Sequence, residues 1–92
     1  MKTIREVMNL PIEDDILGLS VRCLNCLWNS GVKTLSELTA KSEDEFLTIR
    51  NMGHTTLDAL KKSVFSLGLC FSMTDRDWLQ WGLMNKRWIM EH

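Results

Sequence analysis

Two helix-start signals only eight residues apart constrain this protein more than any other feature. Thr34-Leu35-Ser36-Glu37 and Ser42-Glu43-Asp44-Glu45 both read as capping boxes. In such a box the hydroxyl accepts from the amide three residues on, and the carboxylate reaches back to a free amide. A helix that begins so soon after another has begun can only be short, and the backbone must turn sharply between them. Further signals extend the pattern. Ser20 caps a helix running from Val21 to about Ser30, which Gly31 ends in the left-handed conformation. The third short helix runs from Ser42 through Phe46 and Ile49. Leu57, Leu60, Val64 and Leu67 then recur at helical spacing, and Gly68-Leu69 has the form of a Schellman ending. Thr74, followed by Asp75 and Asp77, opens a last helix to about Met90. Ile4, Val7 and Met8 form a short amphipathic lead before Pro11, the one proline. No alternating run is long enough for a strand; Val32-Lys33-Thr34-Leu35 is too quickly capped. The expected class is all-α: a compact bundle of four to five short helices with a helix-hairpin-helix-like motif, plus an extra C-terminal helix. Residues 1–92 are read as one domain, with a core over 11–73 and a Trp-rich helix over 74–92.

Composition narrows the function. Of 92 residues, 45% are hydrophobic and 25% charged, as in ordinary globular domains. No apolar stretch approaches the roughly 20 residues that span a bilayer, and the charged start Met1-Lys2-Thr3-Ile4-Arg5-Glu6 is no secretory signal. A cytoplasmic protein with no membrane partner is expected. The cysteines, Cys23, Cys26 and Cys70, are odd in number, which fits reduced thiols. The net charge of −1 supplies no broad field for nucleic acid, so any such contact must be local.

On a helix from Val21 to Asn29, Val21, Leu24, Leu27 and Trp28 fall on one side and Arg22, Asn25, Cys26 and Asn29 on the other. The second set, taken alone, is an ordinary solvated face. The segment from Ile49 to Leu60 adds weight. Ile49-x-x-Met52-Gly53 followed by Thr55-Thr56-x-x-Ala59-Leu60 has the shape of a helix-hairpin-helix, with glycine at the turn and alanine where helices approach. It leaves the amides of Gly53, His54, Thr55 and Thr56 at a helix N-terminus, where a phosphate is favoured. A plain turn with capping threonines would use the same groups.

From Pro11 to about Met73 the sequence resembles the C-terminal domain of the bacterial RNA polymerase alpha subunit. The matching residues are Pro11-Ile12-Glu13, Leu19-Ser20-Val21-Arg22, Asn25-Cys26-Leu27, Leu35-Ser36-Glu37-Leu38, Arg50-Asn51-Met52-Gly53, Leu57 and Leu67-Gly68-Leu69. The resemblance implies a helical unit that docks on the minor groove of A·T-rich double-stranded DNA. It also implies contact with polymerase subunits or transcription regulators. Carried over by position, Arg22 would enter the groove, Asn25 and Cys26 would lie at its rim, and Gly53 and Thr56 would hold a phosphate, beside the His54 and Thr55 amides of the same helix start. Thr55 and His54 stand where the family usually has basic residues, Ala59 replaces a polar or acidic one, and Gly18 lies near the place of an acidic residue that faces sigma. Those departures imply weaker or pH-dependent DNA contacts and count against a sigma contact. With Met1 only ten residues before Pro11, the sequence reads as a free-standing or an excised copy, without the polymerase-assembly domain.

The tail carries three of the four tryptophans. On one continuous helix Trp78, Trp81, Met84, Trp88 and Ile89 form a stripe, and Leu79, Leu83 and Met90 a second. Two apolar stripes suggest a protein-interaction surface through Trp78, Trp81, Met84 and Trp88, including a homodimer through this helix; packing of both on the domain is the alternative. The second functional reading is therefore an adaptor that keeps the fold but binds a polymerase subunit, a regulator or itself. Cys23-Leu24-Asn25-Cys26 is formally C-x-x-C, yet only Cys70, His54 and His92 remain as further soft ligands, at no recognised spacing. No metal, no cofactor and no enzymatic activity are expected, since no catalytic triad, HExxH or glycine-rich nucleotide loop occurs.

Overall fold

A computed structural model describes residues 2–13 and 17–91. Among them are seven helices and no strand: α1 (Ile4–Met8), α2 (Val21–Asn29), α3 (Leu35–Ala40), α4 (Glu43–Leu47), α5 (His54–Ser66), α6 (Asp75–Met84) and α7 (Lys86–Glu91). The short helices are set by their caps. Ser20, Thr34, Ser42 and Thr74 each accept from the amide three residues on, and the boxes at Ser42 and Thr74 close reciprocally. At α3 the reach-back goes one residue further: Glu37 Oε1 accepts from the Lys33 amide at 3.3 Å. A further cap of this kind, Thr3 with Glu6, opens α1 and lies outside the sequence-based expectation.

Both glycine endings are Schellman motifs. Gly31 (φ +83°) and Gly68 (φ +76°) adopt the left-handed conformation. Val32 and Leu69 then donate back to the Leu27 and Val64 carbonyls at 2.9 and 3.3 Å, and both side chains are buried. The third short helix stops at Leu47, capped by Thr48, before Ile49.

Among the described residues one apolar cluster runs from Val7 and Ile12 through Leu27, Leu38, Phe46, Leu60 and Val64 to Trp78, Trp81 and Ile89. α1 packs on α3 and α6, and α4 on α5. Two backbone clasps hold the outlying segments. Pro11 and Thr34 form an isolated antiparallel bridge, with Ile12 donating to Lys33 and Leu35 to Leu10, each at 3.0 Å. Ser72 and Met73 donate to Lys41 and Thr39 at 3.0 and 2.9 Å, tying the approach to the tail onto the end of α3.

The tail departs from the expected single helix. It breaks at Asn85, whose side-chain amide donates to the Trp81 carbonyl at 2.8 Å while its own carbonyl receives the Ile89 amide at 3.1 Å. An asparagine that hydrogen-bonds local backbone competes with the helical ladder. The break folds α7 back. Trp88 meets Trp81 edge-on with ring centroids 5.4 Å apart, whereas seven residues along one helix would separate them by about 10 Å.

The cap of α6 is sensitive to acid. The Thr74 amide, and then its hydroxyl, donate to Asp77 Oδ2 at 2.8 and 3.0 Å, and these bonds hold the carboxyl below its ordinary value of 3.8. A depressed folded pKa stabilises the fold above the ordinary value, and that contribution vanishes as pH falls through the lower folded value. Thermal midpoints of the wild type and Asp77→Asn should therefore differ by a constant amount near neutral pH and converge below about pH 4. A gap that widens in acid would contradict this cap.

Candidate nucleic-acid interface

The structure brings the polar side of α2 against the turn that feeds α5. A cleft of about 410 Å³ is lined by Val21, Arg22, Asn25, Cys26 and Asn29 from α2 and by Arg50 and Asn51 from the turn. Arg22, Asn25 and Asn29 are exposed and line the cleft. Cys26 is not a rim residue: it is 7% exposed, and its thiol donates to the Asn51 carbonyl at 3.6 Å. It joins the two halves of the cleft from beneath.

This corrects the expected division of α2. Its buried residues are Cys23, Cys26 and Leu27, whereas Val21 is 72% exposed and Trp28 37% exposed. The buried stripe is rotated toward the cysteines, because a small thiol fits under the Asn51 turn where a branched or indole side chain would not. Burial, and then the neighbouring Cys26, push the Cys23 thiol above its ordinary value of 9.0. A thiol kept protonated is a poor nucleophile and a poor metal ligand. Among the described residues no group of three or more His, Cys, Asp or Glu could hold a metal ion; His92 lies outside them.

The turn is conformationally specialised. Asn51 has φ +68°, a left-handed geometry that asparagine tolerates better than other side chains. The Ile49 carbonyl receives the Met52 amide at 3.1 Å, and Met52 is buried. Gly53 is the N-cap of α5 and supplies no side-chain cap, in contrast to the caps of α1, α2, α3, α4 and α6. The first amides of α5, from His54 to Thr56, are thus left without a capping oxygen from Gly53. His54 and Thr55 are exposed and Thr56 is half-buried. Gly53 follows Asn51 by two residues, so its Cα lies within about 7 Å of the edge of the cleft.

Electrostatics single out the same face. Residues 17–36 and 46–57, which include α2 and the turn into α5, contain no Asp or Glu, although the protein as a whole has a charge of −1. The acids gather elsewhere, as in Glu43, Asp44 and Glu45 at the start of α4. Arg50 is a cleft residue that sequence reasoning misses; the available signal is a cation in the segment leading into a helix start.

The tail residues fall differently from the expected stripes. Trp78 and Trp81 are 2% and 4% exposed, and Trp88 is half-buried, so the indoles pack inward. Met84, expected among them, is 75% exposed, and it joins Leu79, Leu83 and Met90 on the outside. Each set has members on both sides of the kink at Asn85.

A polar helix face bearing one arginine lies beside a left-handed turn that opens a helix without a side-chain cap, an arrangement of the helix-hairpin-helix type. The family model for the C-terminal domain of the bacterial RNA polymerase alpha chain matches residues 1–65. Similar curated proteins include the DNA-directed RNA polymerase subunit alpha of Clostridium botulinum, 37% identical over 70 residues, which cover 76% of this protein and 22% of that one. The subunit of the same name from Bifidobacterium adolescentis is 47% identical over 62 residues, covering 67% and 18%. That of Clavibacter michiganensis is 45% identical over 62 residues, with the same coverage. This chain belongs to the RNA polymerase alpha C-terminal domain family. It spans about a fifth of the length of the relatives it matches. The family match ends within α5, and α6 and α7 lie beyond it. No helix among the described residues is long and apolar enough to cross a membrane.

Proposed function

We propose that this protein is a DNA-binding transcription module that docks on the minor groove of A·T-rich duplexes and has polymerase subunits or transcription regulators as protein partners. The observation that carries the reading is the shared cleft of Arg22, Asn25 and Asn29 with Arg50 and Asn51, at the foot of the uncapped α5. A narrow A-tract groove concentrates negative potential, so an inserted arginine finds its site without a basic protein around it. The first amides of α5, with the Thr55 and Thr56 hydroxyls, suit an adjacent phosphate. Asn25 and Asn29 offer donors to the A and T acceptors on the groove floor.

Fluorescence anisotropy on an A-tract and a G·C duplex at low salt tests this. The wild type should prefer the A-tract, and Arg22→Ala should lose about tenfold or more in affinity for it. With Arg22 and Arg50 as the cations of the cleft, log K should fall with log salt at a slope of about −2, far shallower than for proteins with many phosphate contacts. Equal binding to both duplexes that does not depend on Arg22 would remove the proposal.

A further inference from the structure

Several recesses of this protein hold a cation beside a carboxylate. Arg5 shares one with Asp75, Lys33 another with Glu13, and Lys41 a third with Glu37 and Glu45. The cleft between α2 and the turn holds two exposed cations, Arg22 and Arg50, and no carboxylate. Neither arginine forms an ion pair among the described residues. Like charges in one recess repel, and an anion seated there relieves the repulsion. The two walls differ in what surrounds the cation. Arg22 shares its helix face with Asn25 and Asn29, so amide donors and acceptors stand beside it. On the facing wall Arg50 adjoins Asn51, whose left-handed backbone shapes the turn, and the nearby Thr48 hydroxyl is spent on the Glu45 carbonyl at 2.6 Å.

We propose that the two arginines divide the recognition of the duplex: Arg22 reads the groove, and Arg50 holds a phosphate at its edge without regard to sequence. The assignment rests on the DNA docking proposed above and gives Arg50 a role of its own within it. A minor groove is only about 6 Å wide. One guanidinium fills that width, and a second entering from the facing wall would meet a like charge in a confined, poorly solvated space. Phosphates border the groove on both sides, so the wall that does not enter comes to rest against them. A guanidinium suits that position, because it meets phosphate oxygens with paired donors. Arg50 also precedes Gly53 by only three residues, which puts it on the side of the first amides of α5.

The test titrates the full-length protein with A-tract and G·C duplexes by fluorescence anisotropy at several salt concentrations. Arg50→Ala should weaken binding to both duplexes by the same factor, about fivefold, and leave the preference for the A-tract unchanged. Its slope of log K against log salt should be shallower by about one unit, a change that a merely structural role would not produce. Arg50→Lys keeps the charge and should restore the slope and most of the affinity. Arg22→Ala should instead lose the A-tract preference. Arg50 is exposed, so helical circular dichroism should be the same in all variants. An Arg50→Ala protein with unchanged affinity and slope would overturn the division while leaving the docking intact. So would a loss of A-tract preference in that variant, or an Arg50→Lys protein no better than Arg50→Ala. A wild type without A-tract preference would overturn the docking and this assignment together.

Discussion

Replacing Trp81 with alanine is expected to lower stability by about 3–5 kcal/mol and the thermal midpoint by on the order of 20 °C. The side chain is 4% exposed, and its ring lies edge-on to Trp78 and Trp88 with centroids 5.6 and 5.4 Å away. Its Nε1 donates to the Leu67 carbonyl at 2.7 Å. Leu67 is the C-cap of α5, so Trp81 satisfies a carbonyl that the helix itself leaves open. Truncation therefore removes aromatic packing, opens a cavity and strands a polar group at one stroke. Domains of this size have about 5–15 kcal/mol in all, so much of the margin disappears. Leu83→Ala, on the exposed side of the same helix, should change stability by about 0.5 kcal/mol or less. Chemical denaturation of the pair separates a tail that belongs to the core from one that merely leans on it. Equal effects of the two substitutions would contradict the inward packing of Trp81.

Asn51→Val is expected to cost about 2–3 kcal/mol and to weaken DNA binding with it, whereas Asn51→Gly should leave both nearly unchanged. At φ +68° a β-branched residue crowds its own backbone. Relaxing that strain moves the carbonyl that receives the Cys26 thiol and rotates the turn leading into Gly53. The Arg50 and Asn51 wall of the cleft would then shift against α2. Denaturation midpoints and duplex titrations of the two variants check this, and a valine variant as stable and as tight as the wild type would show that the turn carries no conformational demand.

The fold is legible in the sequence wherever a local group dictates a local conformation. Ser20, Thr34, Ser42 and Thr74 announce helix starts, and Gly31 and Gly68 announce endings, because caps act over three or four residues and need no tertiary context. The break at Asn85 is not legible: its competing hydrogen bond matters only because Trp88 and Ile89 gain a place in the core by folding back. The rotated face of α2 is hidden for a similar reason. Periodicity groups Val21 with Leu24 and Trp28, but it cannot know that the Asn51 turn presses on the other side and selects small cysteines. Of the candidate site, Arg22, Asn25 and the Gly53–Thr56 stretch are legible through their spacing and the family resemblance. That Cys26 lies beneath the cleft and Arg50 beside it follows from the packing of α2 on the turn, which the sequence alone does not specify.

Central to the proposed function is that α2 and the start of α5 act as one surface for duplex DNA, and an amide chemical-shift titration of the full-length protein with an A-tract duplex tests this most directly. Perturbations should concentrate on Arg22, Asn25, Asn29 and residues 50–56, with the amides of α6 and α7 unmoved. Shifts centred on the tail, or on only one of the two elements, would contradict it.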